Sequence, residues 1–87
     1  MSDDYKIRLA ICDSDENFAG ILRDRILDSK IGHEFSVKIY NSGAETLENK
    51  YQFEAMIIND GISDISIEEM AKQLRLEYDI PVVLIAE

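Results

Sequence analysis

Tryptophan is absent from this chain, proline and cysteine occur once each, and glycine four times. A single cysteine, Cys12, excludes an internal disulfide, so packing and hydrogen bonds must hold the fold together. So little proline and glycine excludes collagen-like repeats and flexible low-complexity linkers. Basic residues are also scarce: nine Lys and Arg face eighteen Asp and Glu, a formal net charge of −9. A surface of that sign repels phosphate backbones and anionic lipid, which argues against direct nucleic-acid binding and against docking on a membrane. No apolar run approaches the ~20 residues of a membrane-spanning helix. The start, Met1-Ser2-Asp3-Asp4, is acidic, unlike a secretory signal. These features predict a soluble cytoplasmic protein.

What is present is enough apolar residue, 46% of 87, to build a core. A chain of this length makes one small domain, read here as residues 1–87, that buries roughly 60–65% of its unfolded surface. The organising stretch is Phe53-Glu54-Ala55-Met56-Ile57-Ile58-Asn59-Asp60. Its apolar run stops abruptly on two polar residues, the pattern of a strand buried on both faces of a parallel sheet. Functional side chains in such sheets lie just past the carboxyl ends of the strands, where Asn59 and Asp60 fall.

The rest of the chain alternates strand and helix signals. Ile7 to Cys12 reads as the first strand and ends in the acidic turn Asp13-Ser14-Asp15-Glu16. Phe18, Ile21, Leu22 and Ile26 then form one helical stripe. Ser14 or Asp15 suits its cap, and Gly32 its termination. Phe35 to Tyr40 alternates strictly, as an edge strand does. A short helix is expected over Ala44 to Lys50, with Ala44 and Leu47 inward. Ser66-Ile67-Glu68-Glu69 is a capping box, opening a helix with Ile67, Met70, Ala71 and Leu74 on one stripe. Val82 to Ala86 is a last strand, apolar on both faces. Short connections in a β-α-β-α-β-α-β pattern predict a doubly wound parallel α/β sheet with right-handed crossovers.

Four segments resemble the receiver domain of two-component response regulators. Ile7 to Phe18 is similar to its first strand and acidic turn, and Tyr-Asn-Ser-Gly-Ala-Glu-Thr-Leu from Tyr40 to Leu47 to its second loop and helix start. Phe53 to Asn59 resembles the strand that bears the phosphoacceptor aspartate, and Ile80 to Ala86 the fourth strand. The resemblance implies a flavodoxin-like fold, strand order 2-1-3-4, truncated before a fifth strand–helix unit and hence incomplete at the C-terminus. It also implies the N-terminal part of a regulatory protein whose output domain lies outside this chain.

Receiver chemistry needs an aspartate nucleophile, a hard divalent cation held by oxygen ligands, and a hydroxyl and a lysine that stabilise the transferred charge. On the matching positions, the acidic pair becomes Asp13 and Ser14, the phosphoacceptor becomes Asn59, and the Thr or Ser becomes Ala86. An amide is neutral and a poor nucleophile, so ordinary aspartyl phosphorylation is not expected. A pseudo-receiver acting through protein contacts or dimerisation is the leading expectation. The alternative is a phosphorylatable receiver that uses Asp60, or elements supplied beyond residue 87 or by a partner subunit. Asp60 is one residue out of phase, and successive strand side chains point to opposite faces.

Asp13 and Asp15 are the candidate magnesium ligands, with helix capping as the plainer role. Cys12 reads as a buried strand residue and His33 as a surface residue. Asp64, Glu68 and Glu69 are explained by capping around Ser66. A flavin or nucleotide binder on the same sheet would need a Gly- or Ser-rich phosphate loop where this chain has Asp-Ser-Asp-Glu. Finally, Val82, Val83, Leu84 and Ile85 should lie at an uncharged apolar edge, the kind that recruits a protein partner or a second copy.

Overall fold

The structure, a computed structural model, describes residues 5–59, 62, 64–77 and 80–85. Strands β1 (Ile7–Cys12), β2 (Phe35–Tyr40), β3 (Ala55–Asn59) and β4 (Val82–Ile85) alternate with helices α1 (Glu16–Asp28), α2 (Gly43–Glu48) and α3 (Ile67–Glu77). All strand pairs are parallel, in the order β2-β1-β3-β4. This is the truncated flavodoxin-like sheet expected from the sequence, with β2 and β4 at its edges. The register aligns Cys12 with Tyr40 and Ile58, and Asn59 with Ile85, so the loops after β1, β2 and β3 emerge side by side.

The two faces of the sheet are unequally covered. Ala10, Cys12, Met56 and Ile58 face α2 and α3, where Met70 and Leu74 are fully buried and Tyr40, Phe53 and Ile80 complete the core. Burying each large side chain there contributes roughly 1.5–3 kcal/mol. Leu9 and Ile11 point to the other face, which α1 covers above β1 and β2. Further along that face, Ile57 and Ile85 are only half-buried and Val83 is 57% exposed. The expectation that β3 is buried on both faces is therefore corrected, because α1 lies mainly over β2 and β1, while β4 has the exposed edge expected of it.

The same gap changes the α1 stripe. Ala19 is its buried residue, Phe18, Leu22 and Ile26 are half-buried, and Ile21 is 56% exposed. Asp15, not Ser14, caps the helix: its carboxylate accepts the N–H groups of Asn17 and Phe18 at 3.0 and 3.1 Å. Ser29 closes the other end, its N–H and hydroxyl both donating to the Ile26 carbonyl. Gly32 has a different reason from the termination expected of it. Any side chain there would collide with the Leu27 carbonyl.

In α2 the inward residues are Gly43 and Thr46 rather than Ala44, which is exposed, and Leu47 is half-buried. Ser42 caps the helix by accepting from the Glu45 N–H at 3.1 Å. Thr46 is tolerated inside because its hydroxyl bonds back to the Ser42 carbonyl at 2.7 Å. The capping residue of α3 is as expected, Ser66 accepting from the Glu69 N–H at 3.1 Å, while the Glu69 carboxylate accepts from Gln73. Beneath the sheet, the Glu54 carboxylate accepts from the Arg8 backbone and guanidinium, at 3.2 and 3.3 Å, and from the Tyr5 hydroxyl. Among the described residues, no helix is long and apolar enough to cross a membrane.

Candidate functional site

Asp13 is the first residue beyond β1 and continues its ladder, donating its N–H to the Tyr40 carbonyl at 2.9 Å. Extending the ladder by one residue places its side chain inside the carboxyl edge of the sheet, where only 1% of the residue is exposed. A buried carboxylate is costly unless its oxygens are hydrogen-bonded. Here both are. Oδ1 accepts the Asp15 N–H at 2.9 Å, closing an Asx turn. Oδ2 accepts from Asn59 Nδ2 at 2.9 Å. Asn59, the last residue of β3 and 4% exposed, thus reaches across the sheet to meet it.

The loop after β2 joins the same network. Asn41 Nδ2 donates to the Asp13 carbonyl at 3.5 Å, and the Cys12 thiol donates to the Ser42 carbonyl at 3.6 Å. Burial pushes the Cys12 thiol up from its ordinary pKa, and the charges of Asp64, Asp13 and Glu45 add to the effect, against a hydrogen bond with Thr46. Burial likewise raises the Tyr40 phenol, with help from Glu45. Such a thiol is a core residue rather than a nucleophile, as the sequence suggested. No buried side-chain nitrogen or oxygen among the described residues lacks a partner.

Beside Asp13 lies an open polar hollow of about 560 Å³, lined by Ser14, Asp15, Glu16, Asn17 and Asn41. Its acidic rim repels anions. A magnesium ion would need several oxygen ligands in near-octahedral array. Asp15 has its carboxylate turned onto the first turn of α1, and Asn59 offers Asp13 its N–H side. Among the described residues, no three His, Cys, Asp or Glu side chains converge on a point. Asp13 and Asn59 are arranged as a hydrogen-bonded carboxylate–amide pair.

The structure thus brings Asp13 and Asn59 together and sets Asp15 aside as a helix cap. Asp60 and Ala86 lie outside the described residues. At the far edge, β4 pairs with β3 in the register Met56–Val82, Ile57–Val83, Ile58–Leu84 and Asn59–Ile85. Val82 packs against the main core, and Val83, in the predicted interface, is exposed.

One residue of the site was not anticipated. Asp64 belongs to the loop before α3, and capping around Ser66 had seemed its role. Instead its carboxylate spans to α2, accepting the N–H groups of Gly43 and Ala44 at 2.9 Å each. These bonds, with Ala44 first, hold its carboxyl below the ordinary carboxylate range. Nothing in the local sequence signals a contact across about twenty residues.

Fold and edge together define a class: this chain has the receiver-domain fold, lacking its last strand–helix unit. Three solved structures carry the comparison. The first is the beryllofluoride-activated DrrB receiver domain, with a TM-score of 0.75 at 18% identity, covering 93% of this chain. A response-regulator receiver domain from Bacillus halodurans follows, at 0.70, 19% and 91%. The receiver domain of the Saccharomyces cerevisiae response regulator Ssk1, solved with the histidine phosphotransfer protein Ypd1, matches at 0.69, 19% and 98%. The chain spans 66%, 68% and 65% of the lengths of those three chains, about two thirds. No family model matches the sequence, and no curated protein does.

Proposed function

We propose that this chain is a pseudo-receiver, a regulatory module of a two-component type that works by protein contact or self-association in the cytoplasm. It is not an enzyme, takes no phosphoryl group on an aspartate and holds no resident metal. The observation that carries this reading is the 2.9 Å bond from Asn59 Nδ2 to Asp13 Oδ2. It joins the phosphoacceptor position to the retained acidic position by a neutral donor, which does within the protein what a cation would do for a pair of carboxylates. The amide satisfies a lone pair of the buried Asp13 carboxylate without a metal, and it is too weak a nucleophile to attack phosphorus.

The contact surface in this reading is the β4 edge and the bare sheet face beside it. An unpaired strand edge offers a row of N–H and C=O groups, and Val83 adds exposed apolar area. The Ssk1 receiver, of the same fold, was solved in a complex with another protein, which makes a protein partner the natural expectation here.

The chemistry is tested by incubating the protein with a small-molecule phosphodonor and millimolar magnesium and recording the intact mass. The mass should not change. A stoichiometric gain of one phosphoryl group, abolished by Asp60→Asn, would refute the pseudo-receiver reading and establish Asp60 as the acceptor.

A further inference from the structure

We propose that Asp64 is a latch that holds residues 64 and 65 and the start of α3 against the first turn of α2, and that its release uncovers the core beneath them as far down as Cys12. Two bonds of 2.9 Å tie its carboxylate to the Gly43 and Ala44 N–H groups. The closure is also a matter of shape. A Cβ at position 43 would lie 3.0 Å from Met70 Sδ, 3.1 Å from Ile65 Cβ and 3.3 Å from Asp64 Oδ1. Glycine therefore lets residues 64 and 65 and the start of α3 sit directly on α2.

Cys12 lies beneath this seam. It is fully buried, shares a core cluster with Met70, and donates its thiol to the carbonyl of Ser42, the residue that caps α2. The lid over it has few independent supports. α2 has six residues, too few to be stable by itself. Its first turn depends on Ser42 from within and on Asp64 from across the gap. Asp64 is itself exposed, so water or a competing group can reach it from outside. Such segments open locally at a lower free energy than the whole domain unfolds.

The test uses Cys12 as a built-in reporter. Native protein is treated with iodoacetamide and the rate of alkylation is followed by intact mass. Asp64→Ala should accelerate it about tenfold. Asp15→Ala removes the carboxylate that accepts a comparable pair of N–H groups in α1 and serves as the control, with far less effect. Equal acceleration by the two variants would mean that Cys12 is exposed only by global unfolding, and no acceleration by Asp64→Ala would mean that nothing is latched; either result overturns the proposal. Should Asp64→Ala fail to fold, hydrogen exchange of the unaltered protein decides. The Gly43 and Ala44 amides should be protected, and exchange at the rate of unstructured amides would overturn the latch.

Discussion

At the scale of single residues, the decisive feature is an amide where chemistry would need a carboxylate. The identity of Asn59 and its position at a strand end were legible in the sequence. Its bond to Asp13 was not, because the two residues are 46 positions apart and only the parallel register brings them together. Asp13 was read as a candidate ligand beside Asp15; in the structure Asp13 is a buried hydrogen-bond acceptor and Asp15 caps α1. Asn59→Asp would put two carboxylates within hydrogen-bonding distance in a dry site. Each raises the other's pKa above its unfolded value. A carboxyl raised in the folded state binds its proton more tightly there, so the variant should be undamaged in acid and lose stability as pH rises past the ordinary carboxylate range. At neutral pH the loss should be about 1–3 kcal/mol, or several degrees in melting temperature at ~4–8 °C per kcal/mol. Millimolar magnesium should then restore part of the loss in the variant and leave the unaltered protein unchanged. Thermal melts with and without the cation check both halves.

Elements were legible where periodicity speaks for itself and misread where tertiary cover decides. The four strands and three helices could be read from apolar spacing and capping signals, and Ser66 marks the start of α3 in sequence and structure alike. The exposure of Ile21 could not be read, because its spacing is that of a core residue and only the reach of α1 leaves it outside. The choice of Thr46 over Ala44 as the inward residue of α2 depends on a hydroxyl bonding back to Ser42, which hydrophobic patterning misses. Between elements, two carboxylates act as ties. Hydrogen bonding from Tyr5, then from the Arg8 backbone, lowers the Glu54 pKa, and the Ala44 and Gly43 amides lower that of Asp64. Both folded values lie below the unfolded ones. Their contributions are therefore fully present above the ordinary carboxylate range and are lost as pH falls through the depressed folded values. Unfolding measured against pH should show an acid limb that becomes shallower in Asp64→Asn and in Glu54→Gln. A limb unchanged in both variants would mean that neither tie persists in solution.

For the whole molecule, the sheet order and the truncation follow from the alternating pattern and the likeness to receivers, and the order β2-β1-β3-β4 is what forms. The unequal cover of its two faces follows from counting helices: two lie on one side and one on the other. The last strand is left at an edge with Val83 exposed. Burying a few such side chains contributes roughly 1.5–3 kcal/mol each, a large share of the stability of any small domain. The 87-residue chain should accordingly form a symmetric dimer, or exchange an element between copies, around β4. Light scattering at micromolar concentration should give twice the mass of the chain, and Val83→Lys should return it to a monomer or unfold it. A stable monomer at that concentration would refute self-association and leave a different protein as the occupant of the edge.

The Asn59 side-chain amide is the most direct place to test whether protein groups alone complete the site. In a nitrogen-15 NMR spectrum of the folded chain, its NH₂ resonances should be shifted by the Asp13 carboxylate, slow to exchange with water, and unmoved by millimolar magnesium. Saturable movement of those resonances with magnesium, lost in Asp13→Ala, would contradict it: the pair would then be a working metal site, and the chain a receiver in chemistry as well as in fold.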